Sequence, residues 1–269
     1  MAKKYLNEIL TGNCLKIIPG IPDNSIDLVI TSVPYNSDHP YDIYKDNKPH
    51  KVYIAWIEKI FRALYPKLKK GGRIALNVGD GCNGRVHTHV DVAESLVHNI
   101  GYLQMSTIIW GKQNTSNRTA WGSFKSPKEP SLPCPFEYVL IFAKETYALQ
   151  DDGVSDITKE EFVDWSLSLW TFPRTDYKVS TGIINGGVHP APFPEVLPTR
   201  LIKMFSWVGA TVLDPLCGSG TACLAAKKLE RNYIGIELSK NYADYARQRL
   251  KHVVVSHSLF STDNNDDDN

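Results

Sequence analysis

Apolar positions along this chain fall into short continuous runs and into stretches with helical spacing. Six runs predict β-strands: SIDLVITS, GGRIALNVGD, GYLQMSTIIWG, FEYVLIFAK, GATVLDPL and RNYIGIEL. Three stretches predict helices: YIAWIEKIFRALYPKLKKGG, which is expected to stop at its glycine pair, TACLAAKKLER and NYADYARQRLKH. Strands that alternate with helices are typical of an α/β fold with a doubly wound, mostly parallel, Rossmann-like sheet.

Two segments interrupt this alternation. Residues 111–136 and 145–194 are rich in Pro, Gly, Ser and Thr, with scattered Trp. Both are longer than ordinary connections, and long insertions in compact domains tend to be functional or mobile. The length of 269 residues suits one large α/β domain with an insertion, or two small domains.

Composition narrows the class of protein. With 42% hydrophobic and 22% charged residues, the chain has ordinary globular composition. It shows neither an apolar run of about 18 residues nor the apolar core of a signal peptide, so we expect a cytoplasmic protein without a membrane segment. Five scattered cysteines without a Cys-x-x-Cys pair indicate free thiols in a reducing compartment.

The net charge of +1 conceals an acidic end. Residues 263–269 carry four Asp and no cation, so the rest of the chain carries +5. We expect this acidic tail to be disordered. The positive remainder permits nucleic-acid binding without demonstrating it.

The segment TVLDPLCGSGTACLAAKKLERNYIGIEL carries the strongest signal for a ligand site. A strand-like run ends at Asp214, the turn Cys217-Gly218-Ser219-Gly220 follows, and a helix begins near Thr221, which can cap it. A second strand ends at Glu237, 19 residues after Gly218. Glycines permit close approach of a ligand, and an acidic side chain at that point can accept both hydrogen bonds of a ribose diol. Taken alone, such turns occur in many α/β folds.

The turn also indicates which ligand suits it. It lacks the third glycine of the dinucleotide pattern and the Gly-Lys-Ser/Thr ending of a phosphate loop. Asp214 stands where those sites attract phosphate, so a cationic nucleoside without phosphate, such as S-adenosylmethionine, fits better. Asp214 can also cap the turn, and the two interpretations are compatible.

Two motifs resemble those of amino-methylating DNA methyltransferases. TSVPY resembles their Ser-Pro-Pro-Tyr catalytic motif, and DPLCGSGT resembles their Asp-Pro-Phe-x-Gly-Ser-Gly-Thr cofactor motif. The first precedes the second by some 180 residues, as in the circularly permuted β group of that family. HPAPFPEVLPTRLI, residues 189–202, is similar to the cofactor-contacting segment upstream of the glycine turn, and the resemblance extends over roughly residues 8–250.

The resemblance implies a circularly permuted, S-adenosylmethionine-dependent methyltransferase fold. It implies a single catalytic domain over 1–262, a DNA-contacting loop at 111–136 and a target-recognition insertion at 145–188. The implied partners are duplex DNA with a short specific site and a cognate restriction endonuclease. The implied cofactor contacts are Asn13, Thr31, His189, Pro190, Phe193, Asp214, Pro215, Cys217, Gly218, Ser219, Gly220, Thr221, Glu237 and Leu238.

The sequence departs from the family pattern twice. Asn13 stands where the family usually has Asp; its side-chain oxygen can still accept from the adenine amine, without the assistance of a charge. Val33 stands where the catalytic motif usually has its first Pro, which removes some rigidity from the loop.

The catalytic motif supplies the groups that amine methylation requires. An exocyclic amine is a poor nucleophile because its lone pair is delocalised, and two acceptors, Ser32 Oγ and the Pro34 carbonyl, can draw its nitrogen toward tetrahedral geometry. A base in duplex DNA must be flipped out, and the Tyr35 ring can stack on it. SVPYN can instead be a plain turn.

In the family, Ser at this position favours cytosine N4 over adenine N6 as the methylated group. A catalytically idle DNA-binding protein is the remaining alternative.

The predicted loop is basic. Residues 111–130 carry four cations against Glu129, interleaved with two aromatic residues, which suits contacts with DNA, although a solvated loop with its aromatics folded onto the core has the same composition. The segment 163–182 is the candidate for base recognition, because the family's recognition region usually lies there. The candidate DNA contacts are Lys112, Arg118, Trp121, Lys125, Lys128 and Arg174.

Cysteine and histidine carry no chemistry in this interpretation. Cys134 follows a proline, as in enzymes that methylate cytosine at carbon, but it lies in the wrong element for that family and is expected to be structural. The spacing of Cys82, His87, His89 and His98 matches no zinc motif, so no metal site is expected.

Overall fold

The computed structural model describes residues 4–81, 85–113, 122–123, 125–130, 132, 134–174 and 193–253. Its strands are β1 (Glu8–Thr11), β2 (Ile26–Ser32), β3 (Leu68–Val78), β4 (Leu103–Gly111), β5 (Phe136–Ala143), β6 (Leu169–Thr171), β7 (Thr211–Asp214) and β8 (Asn232–Glu237). Its α-helices are α1 (Cys14–Ile17), α2 (His50–Leu64), α3 (Thr88–Glu94), α4 (Lys159–Trp165), α5 (Val196–Phe205), α6 (Thr221–Lys228) and α7 (Lys240–Lys251).

Within these ranges the strands form one sheet of eight in the order β1-β8-β7-β2-β3-β5-β4-β6. Of these strands, only β5 runs against its neighbours, β3 and β4; the other pairings are parallel. The predicted doubly wound, mostly parallel sheet is therefore confirmed. The parallel strands β1, β8, β7, β2 and β3 end at the same edge of the sheet, and ligands of such sheets bind at that edge.

Both faces of the sheet are covered. Leu28 and Ile30 of β2 belong to the core that α5, α6 and α7 cover, whereas Val29 belongs to the core under α2 and α3. This alternation follows from the period of two residues in a strand. Among the described residues, none of the helices combines the length and the apolar run that crossing a membrane requires.

The elements differ from the predicted ones in several respects, and helices α1, α3, α4 and α5 were not predicted. Helix α2 ends at Leu64 rather than at the glycine pair, and Gly71 and Gly72 lie inside β3. Pro66 explains the early end: Tyr65 before it still has helical backbone angles, but a proline has no N–H to donate to the carbonyl four residues earlier. Strands β1 and β6 were not predicted, since segments of four and three residues are too short to show a period.

The predicted insertion at 145–188 is described as far as residue 174. It contains α4, which Thr158 caps with a capping box, and the edge strand β6. The acidic tail at 263–269 and the candidate contacts Arg118, Trp121, His189 and Pro190 lie outside the described residues.

Candidate active site

The glycine turn connects β7 to α6, as predicted. Gly220 has a φ of +77°, and a Cβ there would lie 2.8 Å from the Cβ of Ala246 in α7, so glycine is required on both grounds. Gly220, and not Thr221, is the N-cap of α6, and the expected side-chain cap from Thr221 is wrong. The hydroxyl of Thr221 instead accepts from Arg249, whose guanidinium also donates to the Ser219 carbonyl at 2.6 Å.

Glu237 holds the turn in place. Its Oε2 accepts from the Gly218 amide at 2.9 Å, and its Oε1 accepts from the Ser239 amide at 2.8 Å. Burial raises the pKa of Glu237, and these amides oppose the shift. Each carboxylate oxygen keeps acceptor capacity, so the residue can receive the hydroxyls of a ribose while it fixes the backbone that forms the site.

Asp214 lies beneath the turn rather than in the cleft. It is 1% exposed, and its Oδ1 accepts from the Leu216 amide at 3.1 Å, which is the capping role. Burial raises its pKa from 3.8 to about 7. Thr31, also predicted to contact the cofactor, is likewise buried and does not line the cleft.

An open cleft lies at the carboxyl ends of these parallel strands. Of the predicted site residues, it is lined by Asn13, Ser32, Pro34, Phe193, Pro215, Cys217, Gly218, Ser219, Thr221, Glu237 and Leu238. The structure thus brings the catalytic motif and the glycine turn together from opposite ends of the chain. The side-chain oxygen of Asn13 already accepts from the Leu15 amide at 2.9 Å as the N-cap of α1, and it retains capacity for one more donor.

The loop after β2 is held at each residue. Val33, which replaces the usual proline, is 1% exposed and packs in the core, so burial restrains the loop where proline would. The Pro34 carbonyl accepts from the Tyr53 hydroxyl at 2.6 Å. Tyr35 does not line the cleft: its ring lies 3.5 Å from the position of a Cβ on Gly79, and its hydroxyl accepts from Asn77 at 3.0 Å.

A strap, residues 36–48, covers part of the cleft and was not predicted. Asp46 is 2% exposed and accepts from the amides of Asn36, Ser37 and His39, which closes the strap on itself. At its tip, Asp42 accepts from the Ser239 hydroxyl at 2.6 Å. The strap contributes Tyr41, Asp42, Ile43 and Tyr44 to the lining of the cleft. Turn residues in NSDHPYD are a signal for a loop, but they do not indicate where the loop lies.

The basic loop is described in part. Lys125 and Lys128 are exposed beside a tight turn in which Gly122 and Pro130 form a bridge. Lys112 is only 19% exposed, and its ammonium donates to the carboxylate of Glu137. Lys112 therefore has a carboxylate partner within the protein.

The segment proposed for base recognition contributes to the core. Trp170 is 1% exposed, and the indole of Trp110 stacks on Phe172 and donates to its carbonyl. These aromatic side chains are consequently occupied by packing. Arg174, the candidate contact in this segment, is half-buried.

Part of the cysteine and histidine set lies within the described residues. Cys134 is a half-buried thiol, and the ring of His89 lies 2.7 Å from the carboxylate of Asp80. Within the described ranges, no group of three His, Cys, Asp or Glu side chains is arranged to hold a metal ion.

Known proteins resemble this chain in sequence and in structure. A family model described as DNA methylase (N6_N4_Mtase) matches residues 26–248. The type II methyltransferase M.MjaVI of Methanocaldococcus jannaschii is 39% identical over 160 residues, or 59% of this chain and 82% of that protein. M.MjaI of the same organism is 28% identical over 91% of each chain. The structure of TTHA0409 from Thermus thermophilus, described as a DNA modification methylase complexed with S-adenosyl-L-methionine, superposes with a TM-score of 0.69 at 26% identity, over 91% of this chain and 94% of that one.

Proposed function

The chain belongs to the DNA methylase family that this model defines, and on that premise we propose that it methylates the exocyclic N4 amine of a cytosine in duplex DNA. As a member of the N6/N4 group, it is a DNA amino-methyltransferase, and its cofactor is S-adenosylmethionine. The observation that carries methyl transfer to an amine is that Ser32 and Pro34 line the same cleft as the glycine turn and Glu237, and the choice of cytosine depends on the Ser at position 32.

The cleft suits this cofactor on chemical grounds. Among the described residues that line it, Glu237 and Asp42 carry carboxylates and none is Lys or Arg. Aromatic side chains of Tyr41, Tyr44 and Trp56 line it as well. Carboxylates and aromatic faces attract a cation and give a phosphate group no partner. When bound, S-adenosylmethionine supplies an electrophilic methyl group on a sulfonium.

The catalytic motif activates the amine. Ser32 Oγ and the Pro34 carbonyl accept its two hydrogens and direct the nitrogen lone pair into the cleft. A carbonyl oxygen has two lone pairs, so Pro34 can accept from the substrate while the Tyr53 hydroxyl holds it. Once the nitrogen has gained the methyl group it is cationic and strongly acidic, so it releases one of its two protons to water without a strong base, and positioning supplies much of the rate.

The Ser at position 32 supports cytosine as the substrate base. Within this family, Ser at this position of the catalytic motif is usual in enzymes that act on cytosine N4, whereas Asp or Asn is usual in those that act on adenine. Duplex DNA with a short specific site is the proposed partner, and the insertion at 145–188 is the proposed recognition element. A cognate restriction endonuclease for the same site completes the proposed restriction-modification system.

Methyl transfer from labelled S-adenosylmethionine to DNA tests the activity, and mass spectrometry of the hydrolysed DNA tests the base. We expect N4-methylcytosine. N6-methyladenine alone would refute the cytosine assignment, and binding of cofactor and DNA without transfer would identify an idle protein.

Ser32→Ala should lower turnover by roughly 10²–10³-fold, the effect of losing one preorganised polar contact, with little change in cofactor affinity.

A further inference from the structure

A buried polar cluster lies behind the catalytic motif, outside the lining of the cleft. Asn77, near the end of β3, is 3% exposed, and Glu137, near the start of β5, is 4% exposed. Asn77 lies opposite Ser32 in the pairing of β3 with β2. The antiparallel direction of β5 is what brings the beginning of that strand to the edge where β2 and β3 end.

The amide of Asn77 faces three acceptors. Its Nδ2 lies 2.7 Å from Glu137 Oε2, 3.0 Å from Tyr35 Oη and 3.5 Å from Ser32 Oγ. An amide nitrogen has two hydrogens, so the two shorter contacts take them. Ser32 Oγ, at the longest distance, keeps its lone pairs available for a substrate amine.

The orientation of the Asn77 amide has a cause. The carboxylate of Glu137 attracts the NH₂ group and leaves Asn77 Oδ1 without a hydrogen-bond partner among the described residues. Burying an unpaired carbonyl costs stability, so a cluster that served stability alone would not favour this arrangement. Lys112 donates to the other oxygen of Glu137 and balances its buried charge.

We propose that Asn77 and Glu137 are positioning residues for methyl transfer, with Lys112 as the counter-ion of Glu137. Glu137 orients the Asn77 amide, which in turn holds the Tyr35 hydroxyl beside Ser32. An amide does not titrate near neutral pH, so Asn77 orients its partners and is not a base. This inference rests on the proposed function, because it assigns a role in that reaction.

The test measures kcat at saturating DNA and cofactor, together with cofactor affinity by calorimetry. We expect Asn77→Ala to lower kcat by about 10–100-fold, since small misplacements of reacting groups have effects of this size. Cofactor affinity should stay within about twofold, because neither residue lines the cleft. Glu137→Gln should retain more activity than Glu137→Ala, because its oxygen can still accept from Asn77.

A double variant separates positioning from general damage. If Glu137 acts through Asn77, the pair Asn77→Ala/Glu137→Ala should lose no more than about threefold beyond Asn77→Ala. Ser95→Ala is the matched control: it removes a buried hydroxyl that donates to Glu58 at 2.9 Å, away from the cleft. We expect its kcat to be unchanged.

The outcomes are distinct. A wild-type protein that does not methylate DNA would refute the proposed function and this inference with it. If the wild type is active and a folded Asn77→Ala variant has an unchanged kcat, the inference alone is refuted. It is also refuted if the kcat of the double variant falls by the product of the two single losses, or if Ser95→Ala loses as much kcat as Asn77→Ala. Should Asn77→Ala fail to fold, the kcat of Glu137→Ala decides, and a wild-type value in that variant would overturn the proposal.

Discussion

Replacing Asp214 with Asn should remove a pH dependence of stability that the buried carboxyl creates. Burial raises the pKa of Asp214 from 3.8 to about 7 in the folded protein. Between these values the folded state holds a proton that the unfolded state has lost. The contribution of this group to the free energy of unfolding is therefore fully present below about pH 4. It falls as the pH rises above that value and is lost once the pH passes about 7.

The magnitude follows from the size of the shift. Each unit of pKa corresponds to about 1.4 kcal/mol, so a shift from 3.8 to about 7 amounts to roughly 4 kcal/mol of lost stability at pH 8. Asn has nearly the same shape as Asp and carries no charge. Its side-chain oxygen can still accept from the Leu216 amide, as Asp214 Oδ1 does in the wild type. Asp214→Asn should therefore be more stable than the wild type at pH 8.

Urea unfolding of both proteins from pH 4.5 to pH 8 measures the effect. The free energy of unfolding of the variant minus that of the wild type should increase by up to about 1.4 kcal/mol per pH unit and level off above pH 7. Asp244→Asn is the control: this exposed carboxyl has a pKa lowered by Lys240, so its contribution changes only at more acidic pH. A difference for Asp214→Asn that is constant across the range would refute the reasoning.

Three further predictions concern ligands. Glu237→Ala should weaken S-adenosylmethionine binding by about 1.5–3 kcal/mol, the range for hydrogen bonds to a charged group; unchanged affinity by calorimetry in a folded variant would exclude the residue from the ribose site. Replacing Lys125 and Lys128 with Ala should flatten the slope of log DNA affinity against log salt by up to about two units, and an identical slope would show that the loop makes no phosphate contacts. Asp42→Ala should speed cofactor dissociation about tenfold, because the bond to Ser239 that closes the strap is worth about 1.5 kcal/mol; stopped-flow fluorescence with an unchanged rate would mean that the strap does not retain the cofactor.

The parts of the site that the sequence revealed are those with local patterns. The glycine turn and Glu237 lie in one continuous segment of strand, helix and strand. Their spacing in the sequence was therefore enough to predict that they lie close together. The strap and the Asn77–Glu137 contact depend on where the chain returns; Asn77 and Glu137 are 60 residues apart. No periodicity encodes such a contact, because it follows from the order and direction of strands in the sheet.

The end of a helix shows a different limit. The residues after Leu64 continue an amphipathic pattern, and the pattern alone predicted helix as far as the glycine pair. Pro66 was the local signal against this, and it prevailed over the periodicity. For Tyr35 the motif indicated a base-stacking ring, but in the folded protein Tyr35 does not line the cleft and its hydroxyl accepts from Asn77.

The order of strands in the sheet has a consequence for synthesis of the protein. Central strand β2 is paired with β7, and the Thr211 amide donates to Asp27, a separation of 184 residues. A growing chain on the ribosome therefore exposes one edge of β2 until residues near Thr211 emerge. Such long-range pairing slows folding and favours aggregation of incomplete chains. The cleft likewise lacks part of its lining until the glycine turn and Glu237 are made, so a nascent chain acquires the ability to bind cofactor only after these residues have emerged.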